Sequence, residues 1–250
     1  MTIPSEQELL AAACHIGHKS VKWNPKMKRY LYGIEKGVHV FDLIQTKKKL
    51  EESCHELVEL HRQGKAILFV STKLFSTAAL ENVGRETGHP TVTKKWIPGL
   101  VTNWKTISRR IKYYLDLQRQ FKTGEVEKYT KKEQLKLRKK LAQLDKALSG
   151  VAGMTGLPDA IFAVDAVRDV ISVREANIAK IPVYGICDSN ADPDLFKIAI
   201  PANDDASGSV MLILETVKKA LKETPRESAA KAEKAPVVQE PEEPTILIGV

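Results

Sequence analysis

Four short apolar runs constrain this chain more than any other feature: Ala66–Val70, Ala160–Val164, Val183–Cys187 and Ile198–Ile200. They are close to continuously apolar rather than alternating, which marks strands buried on both faces. Helical patterns separate or follow them. Leu74–Glu86 is closed by Gly88 with Pro90 beyond, Val170–Ala179 links two of the runs, and Ala206–Lys222 follows the last. Apolar strands alternating with helices predict an α/β fold built on a parallel sheet covered on both sides.

Upstream, Glu6–Ala13 reads as a short helix entered through Pro4 and Ser5. Tyr30–Asp42 alternates around Glu35-Lys36-Gly37 and is expected to form a hairpin feeding the first sheet strand. Thr46–Arg62 places Leu50, Cys54, Leu57, Val58 and His61 on one helical face and stops before Gly64.

The α/β alternation is broken after the loop Trp96-Ile97-Pro98-Gly99. Trp104–Phe121 carries apolar residues at Ile107, Ile111, Tyr114 and Phe121, and beyond Lys122–Glu125 a second helix offers Leu137, Leu141, Leu144 and Leu148 before Ser149-Gly150. The four-three-four leucine spacing is a coiled-coil seam, and two helices with one apolar stripe each must pack on one another as an antiparallel pair. Such an arm, about 20 residues per helix, projects about 30 Å.

Charge singles out the same insertion. The chain holds 39 Lys/Arg and 31 Asp/Glu, net +8, but residues 104–150 alone hold 14 against 5, whereas residues 151–250 hold 10 against 16. So uneven a balance leaves most of the arm's cations without a local partner, and a phosphate backbone is the polyanion that relieves their repulsion. A second candidate RNA edge is Trp23-Asn24-Pro25-Lys26-Met27-Lys28-Arg29, where aromatic and basic residues meet in a segment that Pro25 keeps from being a plain helix. Trp23 is equally compatible with a place in the core. The expected RNA-binding residues are Lys22, Trp23, Lys26, Lys28 and Arg29 in the body, and Lys105, Arg109, Arg110, Lys112, Lys131, Lys132, Lys136, Arg138, Lys139 and Lys140 in the arm.

Other chemistry is weakly represented. His15 and His18 with Cys14 and His39 resemble only part of a metal site, and Cys54 with His61 falls on an apolar helix face, so no metal or other cofactor is expected. Asp188, Asp192 and Asp204 lie beyond strand ends, where open sheets place ligands, and offer the alternative of a Mg²⁺-dependent enzyme or receiver-like domain. Caps and turns account for them better: Asp204 or Asp205 suits the N-cap of the last helix, and Asp192-Pro193 opens a helical turn. The chain contains neither G-x-G-x-x-G nor G-x-x-x-x-G-K-[ST], and no nucleophile–base pair, so no enzyme and no small-molecule substrate is expected. The beginning MTIPSEQELL has no signal-peptide pattern, no run is long enough to span a membrane, and three scattered cysteines fit a reducing compartment, which together predict a cytoplasmic protein. From Glu223 the composition turns to Pro, Ala, Glu and Lys, an expected disordered tail, whose apolar end Thr245–Val250 is read as an ordinary terminus rather than a docking strand.

In order along the chain, HIGH (15–18), KWNPKM (22–27), YLYG with GVHVFDL (30–43), ILFVSTK (67–73), LVTNWKTI (100–107), GLPDAIFAVD (156–165), REANIAKIPV (174–183), DSNADPD (188–194) and IPANDDA (200–206) resemble the bacterial small-subunit ribosomal protein S-two family. The resemblance covers about residues 5–222. It implies a three-layer α/β/α, flavodoxin-like domain (1–103 and 151–222) with a protruding coiled-coil hairpin (104–150) and a tail (223–250). It also implies a seat on small-subunit rRNA among neighbouring ribosomal proteins of a bacterial-type ribosome, with the mRNA-binding protein S-one as a further partner. The chain departs from the family pattern at Ser71–Leu74, at Lys95–Gly99 and at Ala206–Ser209, where an expected arginine is missing, and no RNA contact is carried over there.

Overall fold

All four apolar runs become strands in the computed structural model, which describes residues 1–226. In chain order the elements are α1 (Glu6–Ala11), β1 (Ile16–Lys19), β2 (Leu31–Glu35), β3 (Val38–Phe41), α2 (Leu43–Arg62), β4 (Ile67–Val70), α3 (Thr77–Thr87) and β5 (Thr91–Val92). There follow α4 (Trp104–Thr123), α5 (Lys131–Leu148), β6 (Ala160–Ala163), α6 (Val170–Ile178), β7 (Val183–Cys187), β8 (Ile198–Pro201) and α7 (Ser207–Lys222). The main sheet is wholly parallel and runs β5-β4-β6-β7-β8, which is 2-1-3-4-5 when these strands alone are counted in chain order.

Successive strand residues point to opposite faces, so each strand feeds two cores. Ile67, Phe69, Ala160, Phe162, Tyr184 and Ile186 pack with Leu50 and Leu57 of α2, Leu80 of α3 and Ile213 and Leu214 of α7. Leu68, Val70, Ile161, Ala163, Val183 and Cys187 pack on the other side with Val173 and Ala176 of α6 and with Ile107 and Ile111 of α4. The result is three layers, helix on sheet on helix, with the root of α4 built into one core. Gly185 is demanded by the central pairing: its φ is +148°, and a Cβ there would lie 1.8 Å from the Ala163 carbonyl oxygen.

The hairpin of residues 30–42 departs from expectation. It forms as β2 and β3 around Lys36 and Gly37, both at positive φ as a two-residue hairpin turn requires, but it does not lead into the main sheet. Instead β3 also pairs with β1, giving a separate antiparallel sheet in the order β1-β3-β2. The hydrogen bonds that decide this are long-range ones. The Ser189 hydroxyl accepts from the His18 amide at 2.8 Å, and the Ser189 carbonyl accepts from the Asn24 amide at 2.7 Å, mooring the small sheet to the loop after β7.

α4 and α5 contact each other through Tyr114, whose hydroxyl donates to Asp145 at 2.6 Å, and through Lys140, whose ammonium lies 4.7 Å from the centre of the Tyr113 ring. Leu117, three residues after Tyr114, is the buried residue of that face, whereas Phe121, close to the end of α4, is only half-buried. A capping box between Thr130 and Glu133 starts α5. The tail expectation is corrected at its beginning. Glu223 caps α7, and the Arg226 guanidinium donates to the carbonyls of Gly64 and Lys65 at 3.2 and 3.3 Å. Residues 227–250, including the apolar end, lie outside the described residues.

Candidate nucleic-acid interface

Helices α4 and α5 present their cations outward. Lys105, Arg109 and Lys112 share one stripe of α4 at four- and three-residue spacing, while Lys132 and Lys139 recur at seven on α5, opposite the leucines. Arg110, Lys131, Lys136, Arg138 and Lys140 fill the flanks, and all ten are exposed. Among the described residues none of the ten forms an ion pair; by contrast Arg119 is held by Asp116 and Glu125, each at 2.8 Å.

One buried carboxylate fastens the root of this arm. Glu175 of α6 accepts from Trp96 Nε1 (3.0 Å) and from the amides of Gly99 (2.7 Å), Val101 (3.1 Å) and Thr102 (3.3 Å), the loop from which α4 departs. Burial alone would raise its pKa, but these donors prevail and hold it below the usual glutamate value. Sequence reasoning missed this residue. Its signal was an acid set between Val173 and Ala176 on a face that had to be buried.

The Trp23–Arg29 segment is divided. It runs as a 3₁₀ turn, Pro25–Tyr30, capped by Asn24 and anchored by buried Met27 and Tyr30, with Lys22 and Lys28 exposed and in no ion pair among the described residues. Lys26 and Arg29, expected to serve RNA, are exposed but face the acidic loop. Lys26 Nζ lies 2.8 Å from Asp192 and 3.0 Å from Asp194, and Arg29 lies 3.1 Å from Asp194. The hydrogen bonds to Asp192 and Asp194 raise the Lys26 pKa, and Lys26 in turn lowers that of Asp194. Trp23 is half-buried, its ring centroid 4.9 Å from that of His39.

Asp188 and Asp204 lie side by side, the Asp188 carboxylate accepting from the Asp204 amide at 3.2 Å, while Asp192 stands apart from them. Lys73, at the end of β4, sits where a ligand would meet the strand ends, its Nζ 2.9 Å from Asp165, 2.7 Å from Asp204 and 2.8 Å from Asp205. Asp188 is taken by His18 Nδ1 at 3.0 Å and by the Ser189 hydroxyl at 3.0 Å, while Asp192 serves Lys26 and the turn at Pro193. The hydrogen bond to Asp188 raises the His18 pKa against the opposing effect of burial. Burial, with Asp165 and Asp188 nearby, pushes Asp204 up to about 7, while the Lys73 hydrogen bond holds Asp205 low. The N-cap assignment is corrected as well. Neither Asp204 nor Asp205 caps α7; Asn203 Oδ1 accepts from the amides of Asp205 and Ala206 at 2.8 and 3.0 Å, because Asp204 and Asp205 are turned toward Lys73. His61 and His89 form a buried pair at 2.9 Å, with burial pushing His89 down to about 3. Among the described residues no three His, Cys, Asp or Glu side chains form a cation site, and no helix is long and apolar enough to cross a membrane.

Residues 9–224 match the family described as ribosomal protein S2, a span that includes the arm, the Trp23–Arg29 segment and the Lys73 cluster. A relative from Fusobacterium nucleatum subsp. nucleatum, described as small ribosomal subunit protein uS2, is 39% identical over 224 residues, covering 89% of this chain and 91% of its own. The chain belongs to the ribosomal protein S2 family.

Proposed function

We propose that this chain is a structural, non-catalytic constituent of the small ribosomal subunit, that it binds small-subunit rRNA and that it supports translation. One observation carries the reading: the family match extends over residues 9–224. The geometry agrees with it. Lys73 is buried against carboxylates at the strand ends, whereas ten cations of α4 and α5 are exposed and in no ion pair among the described residues.

The 2-1-3-4-5 strand order supports a flavodoxin-like domain formed by residues 1–103 and 151–222. The Tyr114–Asp145 contact and the leucine spacing support residues 104–150 as an antiparallel coiled-coil arm. In this reading the arm residues named above contact phosphates, Lys22 and Lys28 add a second RNA surface on the body, and Lys26 and Arg29 act there only as far as Asp192 and Asp194 release them. Neighbouring ribosomal proteins, S-one among them by family resemblance, complete its surroundings in a bacterial-type cytoplasmic ribosome. Phosphate contacts position the protein and read no base sequence. Tagged full-length protein is expected to co-sediment with small subunits through a high-salt gradient; recovery only at the top of the gradient contradicts the proposal.

A further inference from the structure

The small sheet carries a groove of about 370 Å³ lined by Trp23, Lys28, Leu31, Tyr32, Gly33 and His39. Its walls are apolar and open to solvent to a degree that packing does not explain. Tyr32 is 84% exposed and Ile34 61%, both on β2, an edge strand of the small sheet. Isolated exposed apolar residues are ordinary, but a contiguous aromatic and aliphatic patch marks a contact surface.

Two further observations say what kind of ligand the groove fits. His39 is only 4% exposed, yet neither ring nitrogen has a hydrogen-bond partner among the described residues. A neutral imidazole holds one donor and one acceptor, the pairing that the edge of a nucleobase presents in return. Gly33 is the second. A Cβ there would meet nothing within 4 Å, so the fold does not require glycine for space, and a glycine inside a strand leaves the backbone open to close approach. The register of β2 against β3 also shifts between Leu31 and Gly33. Charge selects the occupant: the groove's own cation, Lys28, and Lys22 just before Trp23 are exposed without an ion pair among the described residues, which suits a phosphodiester rather than an apolar peptide.

We infer that this groove takes an unpaired nucleobase of RNA, stacked on Tyr32 and Trp23, with its phosphate at Lys28 and its edge toward His39. The inference rests on the rRNA-binding reading and deepens it, since the arm contributes charge and this groove contributes a π-surface. Stacking needs a base but no particular sequence, so single-stranded or bulged RNA is the ligand and duplex is not.

Full-length protein is titrated by fluorescence anisotropy with a short single-stranded RNA of mixed sequence and with an abasic oligomer of the same length and charge. The base-bearing strand is expected to bind about tenfold tighter, within the range contributed by one stacked base. Tyr32→Ala, at a side chain the fold barely touches, abolishes that ratio and Tyr32→Phe restores it. Lys28→Ala weakens both oligomers alike. A wild-type ratio near one, or a ratio that survives Tyr32→Ala, overturns the inference and leaves the groove to a protein segment. Binding of intact small-subunit rRNA is measured in parallel: if that persists, the rRNA-binding reading stands by itself, and if it fails too, both fall.

Discussion

Lys73 and Lys139 are the same residue type put to opposite uses. The Lys73 ammonium lies within 3 Å of Asp165, Asp204 and Asp205 and is 5% exposed, whereas Lys139 projects from α5 into solvent with no ion pair among the described residues. A buried ion pair returns little net stability but makes the loss of one partner costly. An unpaired surface cation adds nothing to the fold and keeps its charge for a polyanion. The strand ends and the helices α4 and α5 thus hold charge of two kinds, one paired inside the fold and one exposed and unpaired among the described residues, a distinction invisible in the net +8.

The largest test of that division is Lys73→Met, which leaves Asp165 and Asp204 buried against each other. It is expected to cost about 3–5 kcal/mol in urea unfolding, the usual penalty for breaking a buried pair. A cost typical of a surface residue would place Lys73 with the arm instead. The same cluster sets a pH dependence. Asp204 holds its proton up to about 7 in the fold but releases it near 3.8 when unfolded, so its contribution is present at low pH and is lost as pH rises through that window. Asp204→Asn is therefore expected to flatten the decline in stability between those values, as read from unfolding curves at several pH values, and an unaltered decline assigns it to other groups.

Next in size is Glu175→Gln. Replacing a carboxylate that collects one indole and three backbone donors is expected to cost about 2–4 kcal/mol, since hydrogen bonds to charged groups outweigh neutral ones. Amide exchange should rise first at Gly99, Val101 and Thr102. Global loosening without that local signature would show that Glu175 supports the core rather than the root of the arm.

Such roles explain what could and could not be read from sequence. The four main strands were legible because both their faces are apolar, and the helices α4 and α5 because their apolar residues repeat on one face. β5, at two residues, gave no periodic signal, and α2 begins at Leu43 because Asp42, read as the end of a hairpin, caps it by accepting from the Ile44 amide. The small sheet was hidden because the partner of β1 lies some twenty residues further along and is fixed by Ser189, far away in the chain. For the candidate site, composition located the cations but not their partners. Lys26 and Arg29 looked like Lys22 and Lys28 until the fold brought Asp192 and Asp194 beside two of them.

That last contrast supplies the smallest test. Asp192→Asn with Asp194→Asn removes only exposed or half-exposed pairs, so stability should hardly change, while rRNA affinity should rise a few-fold as Lys26 and Arg29 become available. Unchanged affinity would mean that this part of the body does not face RNA.

The salt dependence of rRNA binding tests the division most directly. Full-length protein and a variant with Lys131, Lys132, Lys136, Arg138, Lys139 and Lys140 all replaced by Gln are titrated with small-subunit rRNA over a range of salt concentrations. Weaker binding in the variant is predicted, with the slope of log affinity against log salt reduced by roughly one for each phosphate that the arm no longer neutralises. Two superimposed lines of equal affinity and slope would contradict the assignment of the arm's unpaired charge to RNA.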